Sequence, residues 1–208
     1  MTTVKRTLRL IITIVYSLSV LGIAGCATPY SRLNDYKESD SGNLVLSLGV
    51  PSKQNLPTLH GKMLGTGDLF ELTHMSDWGK IAEMDMSFTD GVGRVIARKL
   101  PPGEYEINHV ELSVEGGLIK TSNPMPVPVR FSIQPGKTTY IGRYRVEMTL
   151  VAPEKATQTG AVTTIPVSAM RALPEVTDEQ ERDMASAKAK YPELNMDIVK
   201  NSVPARID

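Results

Sequence analysis

One cysteine, Cys26, stands in a chain of 208 residues, and the segment before it sets what is left to fold. Lys5, Arg6 and Arg9 form a positive start with no acid among them. From Leu10 to Leu21 the chain is apolar except at Thr13, Ser17 and Ser19, and small residues follow at Gly22, Ala24 and Gly25. Positive, then apolar, then small is the layout of an export signal, which is set aside before any fold is argued. The competing reading is a membrane-spanning anchor, but a spanning helix needs about 20 apolar residues and this run is shorter. With residues 1–25 set aside, no disulfide is available to the remaining chain. Its stability must come from burial, with methionine (10 in the chain) filling space where aromatic residues are scarce.

Ile23-Ala24-Gly25-Cys26 resembles the bacterial lipobox, an aliphatic and two small residues before a cysteine. The resemblance implies cleavage between Gly25 and Cys26, a diacylglyceryl thioether on the sulfur (the site of palmitate-type acylation), and an acylated new amine. An unpaired cysteine in an exported chain calls for such an explanation. Acyl chains contribute about 0.8 kcal/mol per buried CH₂, and stable anchoring takes more than one chain. Ala27, where Asp favours inner-membrane retention in this family, implies a lipoprotein of the cell outer membrane facing the periplasm.

The leader holds three of the 23 basic residues and none of the 23 acids, so the mature chain is slightly acidic. That excludes the basic footprint of a nucleic-acid binder and an electrostatic membrane surface. The expected partners are the membrane, through Cys26, and an envelope protein or glycan.

Residues 26–42 are polar and turn-rich and read as a flexible tether. Residues 43–170 read as β structure. Leu44, Leu46 and Leu48 share one parity; so do Ala82, Met84, Met86 and Phe88. Residues 94–100 form a strand that ends at the Pro101-Pro102-Gly103 turn. In the strand after it, Tyr105 and Ile107 have one parity and Val110, Leu112 and Val114 the other, which predicts a β-bulge near Asn108-His109. Pro124, Pro126 and Pro128 cannot donate to a central ladder and mark a loop or an edge. Val127, Val129, Phe131 and Ile133 share a face. Pro135-Gly136 is expected to close a hairpin onto the run 137–150, in which Tyr140, Tyr144, Val146, Met148 and Leu150 face one way and Arg143, Arg145 and Glu147 the other. Residues 161–170 read as another strand broken by Pro166. Residues 171–208 read as a helix and tail. Thr177-Asp178-Glu179-Gln180 looks like a capping box, Met184, Ala187 and Tyr191 make an apolar stripe, and Tyr191-Pro192 ends the helix. The stripe either docks on the sheet or binds a partner. Residues 192–208 are expected to be loosely held.

The fold class is therefore mainly β, an antiparallel sandwich with a C-terminal α-helix. Leu100-Pro101-Pro102-Gly103-Glu104-Tyr105 and Phe131-Ser132-Ile133-Gln134-Pro135-Gly136-Lys137-Thr138-Thr139-Tyr140-Ile141-Gly142 resemble the transthyretin-like or carboxypeptidase-regulatory-like sandwich of uncharacterised bacterial lipoproteins. The resemblance covers about half of the mature chain. It implies a fold, with tyrosines at strand starts that pack and hydrogen-bond, and carries no catalytic residue.

Motifs for chemistry are sparse. His60, His74 and His109 match no metal spacing, and His74 with Asp68, Glu71 and Asp77 reads as a solvated acidic loop rather than a cation site. No GxSxG elbow occurs. Gly65-Thr66-Gly67 and Gly91-Val92-Gly93 read as hairpin turns rather than a dinucleotide fingerprint. Glu104, Glu106 and Glu111 read as solvent-facing strand charges. Trp78 is either core or a recognition anchor, and Arg143 and Arg145 are candidates for reading a carboxylate or phosphate. The preferred expectation is a non-catalytic binding or assembly module with no cofactor or metal. The alternative is a hydrolase of cell-wall or surface polymer with an unrecognised carboxylate site.

Overall fold

In the computed structural model the described residues are Leu33 and residues 36–73, 86–88, 90–114, 119–152, 157–159, 162–164 and 170–200. Cys26, Gly25, His74, Asp77, Trp78, Ala82 and Met84 lie outside them. The strands are β1 (Gly42–Val50), β2 (Leu56–Met63), β3 (Leu69–Thr73), β4 (Met86–Phe88), β5 (Gly91–Leu100), β6 (Gly103–Val114), β7 (Ile119–Ile133) and β8 (Thr138–Leu150). They continue with β9 (Thr157–Thr159), β10 (Val162–Thr164), β11 (Met170–Thr177) and β12 (Ile198–Lys200), with helix α1 (Gln180–Lys190) before the last.

The larger sheet has the order β11-β8-β1-β5-β4, with β12 also pairing with β8; the smaller has the order β3-β2-β6-β7, and β9 and β10 form a separate hairpin. The core between the two sheets takes Leu44, Leu46 and Leu48 from β1, Leu59 from β2, Ile107 and Val110 from β6, and Val129 and Phe131 from β7. The two parities of β6 both reach this core because Asn108 is an extra residue. The β2 register passes from His60↔His109 to Gly61↔Ile107, and the β7 register breaks at the same place. The expected bulge is there.

β7 is an edge strand, as its prolines require. Pro124 pairs with His109 and Val129 with Ile107, so Pro126 and Pro128 fall in an irregular excursion that asks nothing of their missing N–H groups. Val127 lies in that excursion and is exposed, while Val129, Phe131 and Ile133 are buried.

Four sequence expectations are corrected. Pro135-Gly136 does not close a hairpin: β7 pairs with β6 and β8 with β1 and β11, so the turn carries the chain from one sheet to the other. The sandwich is not wholly antiparallel, because β1 and β12 both run parallel to β8. Gly91 and Gly93 lie within β5, after the turn rather than in it. Thr177 ends β11 opposite Arg143 and caps nothing; the first turn of α1 is met instead by Asp178, whose Oδ1 accepts from the Gln180 N–H at 3.1 Å. Sheet structure also continues past residue 170 through β11 and β12, and the segment after Pro192 is pinned as far as Lys200. Leu194 is buried, and Asn195 and Asp197 bond to the turn before β8.

Candidate functional site

β1 is buried on both faces. Its inward residues meet the smaller sheet; of its outward residues, Val45 and Ser47 lie under α1 and its flanking chain, and Gly49 lies under the Phe88 ring. Val45 packs there with Met86, Val95, Tyr140, Met184, Ala187 and Leu194. The stripe on α1 therefore docks on the sheet. Tyr191 joins at its end.

This outer face is reached by a bulge in β8. Tyr140 is opposite Val45 and Arg143 opposite Ser47, so the two residues between them on β8 face only Leu46. Gly142, at φ 106, takes a conformation costly for a residue with a Cβ. The alternation flips there. Tyr140 faces α1, whereas Ile141, Tyr144 and Val146 face the inter-sheet core. Arg143 and Arg145 thus share the face of Tyr140, against the expectation that they oppose both tyrosines. A glycine inside a strand pattern was the available signal.

Next to it, Gly49 and Gly93 pair across β1 and β5. A Cβ on Gly93 would stand 2.6 Å from the Phe88 ring, so the two glycines form the niche in which that ring lies. The guanidinium of Arg143 is 4.0 Å from the ring centroid and that of Arg182 is 4.7 Å from it, within the range of cation–π attraction. Arg143 Nη2 and Arg145 Nε each lie 2.8 Å from an oxygen of Asp90, and Arg145 also pairs with Glu147. Burial opposes ionisation of Asp90, but its bond to Arg143 prevails and holds the carboxyl below its usual range. The two arginines are packed into ion pairs and a ring contact within the domain, rather than set out toward solvent.

Asp183 is the centre of this face. Its side chain is fully buried. Oδ2 accepts from Ser47 Oγ at 2.5 Å and from the Tyr140 hydroxyl at 2.8 Å; Oδ1 accepts from Arg182 Nε at 3.0 Å and Nη2 at 2.7 Å. Tyr140 in turn accepts from the Glu179 N–H at 3.2 Å, so one hydroxyl joins the sheet to both the helix and its lead-in. Burial and the carboxylate hold the Tyr140 proton far more tightly than in a free phenol. Nothing in the sequence singled out Asp183, which reads as one polar residue among many on α1.

The smaller sheet carries a second polar surface. Glu106 pairs with Arg130 at 2.9 Å and Lys62 at 3.6 Å; Glu111 pairs with Lys120 at 2.9 Å and lies 3.8 Å from His60. These are cross-strand pairs at the registers β2–β6–β7, and they resist slippage of the ladder. At the Asn108 bulge the surface dips into an open recess of about 390 Å³, lined by His60, Gly61, Leu69, Asn108, His109, Glu111 and Ser122. Burial lowers the proton affinity of His60 in spite of Glu111 and Glu71 nearby. Asp68 ends the Gly65-Thr66-Gly67 hairpin turn, and Glu71 is on β3, opposite His60. Among the described residues no group of three or more His, Cys, Asp or Glu side chains is placed to hold a metal ion. Among the same residues, no helix is long and apolar enough to cross a membrane.

No family model matches the chain, and no curated protein matches it. Among solved structures, a leucine-rich repeat protein from Bacteroides thetaiotaomicron VPI-5482 is similar over 51% of this chain and 14% of its own length, at 14% identity and a TM-score of 0.34.

Proposed function

We propose that the chain is a lipoprotein of the bacterial envelope, anchored through acylated Cys26 and held in the outer membrane facing the periplasm. Its sandwich is of the transthyretin-like or carboxypeptidase-regulatory-like type, and it acts as a non-catalytic module that binds an envelope protein or glycan or takes part in an assembly. The address rests on the leader and the lipobox-like tetrapeptide. Support for a sandwich comes from the winding: in chain order β1, β4–β5 and β8 of the larger sheet are separated by β2–β3 and β6–β7 of the smaller one, and β11 then returns to the larger sheet beside β8.

The observation that carries the non-catalytic reading is where the acids go. Asp90 and Asp183 are bound by arginines on the outer face of the larger sheet, and Glu106 and Glu111 are bound by basic residues on the smaller one. A glycoside-cleaving pair needs two carboxyl groups across one cleft, within about 10 Å. These acids instead serve strand register and helix docking.

The test is Cys26→Ser in cells grown with a fatty-acid analogue. The lipoprotein reading expects loss of the label and release of the protein from the membrane fraction. Unchanged membrane association would overturn it in favour of a retained leader.

A further inference from the structure

β11 is the end strand of the larger sheet. It has the geometry to accept another strand, because its outward N–H and C=O groups have no neighbour in the sheet. At the middle of the strand the structure shows these groups already occupied. The Asn123 side chain, from β7 of the other sheet, donates Nδ2–H to the Ala172 carbonyl at 2.9 Å and accepts the Ala172 N–H on Oδ1 at 2.9 Å. One residue of an added antiparallel strand would make the same reciprocal pair of bonds. Two positions earlier, Thr121 Oγ1 donates to the Met170 carbonyl at 3.3 Å. Two positions later stands Pro174, which has no N–H to offer. Asn123 and Thr121 are both buried, so water does not compete for these bonds. β7 is closed to strand addition by its own prolines.

We infer that Asn123 is a built-in substitute for a strand, sealing the β11 edge against a second copy of this chain. The two sheets are thereby joined along this side by side-chain bonds where a barrel would have a ladder. The residue after Asn123 fits the role. Asparagine loses its amide when the next backbone nitrogen attacks the side-chain carbonyl, and Pro124 has no N–H with which to do so. The donor that bonds Ala172 is thus protected from slow chemical loss.

Two measurements on the full lipidated chain in detergent micelles test this. In the unaltered protein, hydrogen exchange at the Ala172 amide should be slowed by roughly a hundredfold or more relative to a free peptide, as for ladder amides. Exchange at the free rate overturns the proposal. In the Asn123→Val variant, crosslinking should trap dimers and higher species that grow with concentration, and adding Leu173→Lys, which charges the opened edge, should return them to monomer. An Asn123→Val variant that stays monomeric while folded overturns it, as does one whose self-association is indifferent to Leu173→Lys. If that variant does not fold, the exchange rate of Ala172 decides alone.

Discussion

The hydroxyl of Tyr140 donates to the buried carboxylate of Asp183 at 2.8 Å, across 43 residues of sequence, and this bond joins the sheet to the helix that covers it. Ser47 and Arg182 complete the carboxylate's shell. Few apolar residues of α1 are buried with it, so the docking of the helix depends heavily on this cluster.

Asp183→Ala should therefore be severe. It leaves the Ser47 and Tyr140 hydroxyls without their acceptor, at about 1–3 kcal/mol for each buried group left unpaired, while Arg182, part-exposed and also paired with Glu179, keeps other partners. Urea denaturation should show the midpoint falling by that equivalent, and limited proteolysis should open the chain near residues 178–200 first. An unchanged midpoint would show that apolar contacts alone hold the helix.

Gly142→Ala tests the bulge that parts Tyr140 from Tyr144. At φ 106 a Cβ costs about 1–2 kcal/mol. The expected result is a loss of that size in thermal or chemical unfolding. An alanine tolerated without loss would mean that the backbone reaches this face another way.

Of two tyrosine-to-phenylalanine changes, one alone should cost stability. The Tyr105 hydroxyl donates to the Pro101 carbonyl at 2.7 Å, and its ring stacks on Phe131; Tyr105→Phe keeps the stack and should cost about 1 kcal/mol. The Tyr144 hydroxyl is buried with no hydrogen-bond partner among the described residues, so Tyr144→Phe should be neutral or stabilising. Equal losses in the two variants would refute the assignment.

Glu106 gives a pH dependence. Its bond to Arg130 and the nearby Lys62 charge hold its carboxyl below the ordinary 4.5, against the opposing effect of burial. A depressed folded pKa means stability that is fully present above the unfolded pKa and lost as pH falls through the folded one. Between neutrality and pH 5 the pair should contribute steadily; below about 4.5 the contribution should decline. The Glu106→Gln variant should show a shallower acid-side loss than the unaltered chain, with Asp90 supplying part of what remains. Parallel curves for the two proteins below pH 4.5 would rule Glu106 out as a source.

Much of the strand layout was legible locally. The parity change between Ile107 and Val110 announced the Asn108 bulge, the alternate prolines announced an edge, and Tyr191-Pro192 announced the helix end. The partnering of strands was not legible. Pro135-Gly136 has the chemistry of a hairpin turn, but both sides of β8 are filled by β1 and by β11 with β12, so the turn passes between sheets. The polar cluster was hidden for a related reason. Arg143 and Arg145 read as exposed charges because α1, Phe88 and Asp90 come to them from distant parts of the chain.

What the sequence determined by itself was periodic and local. Alternation, turn chemistry and missing N–H groups act over a few residues, and they were enough for β1, β5, β6, β7 and β8, the bulge in β6 and the helix, but not for β2, β3, β11 and β12, which carried no such mark. What only the tertiary structure decided was which faces meet. Whether Asp183 is a solvated charge on a helix or a buried node, and whether Asn123 is a loop residue or a seal, depends on groups 40 or more positions away. Burial changes what such groups are worth, because a carboxylate or amide removed from water must find its partners within the protein.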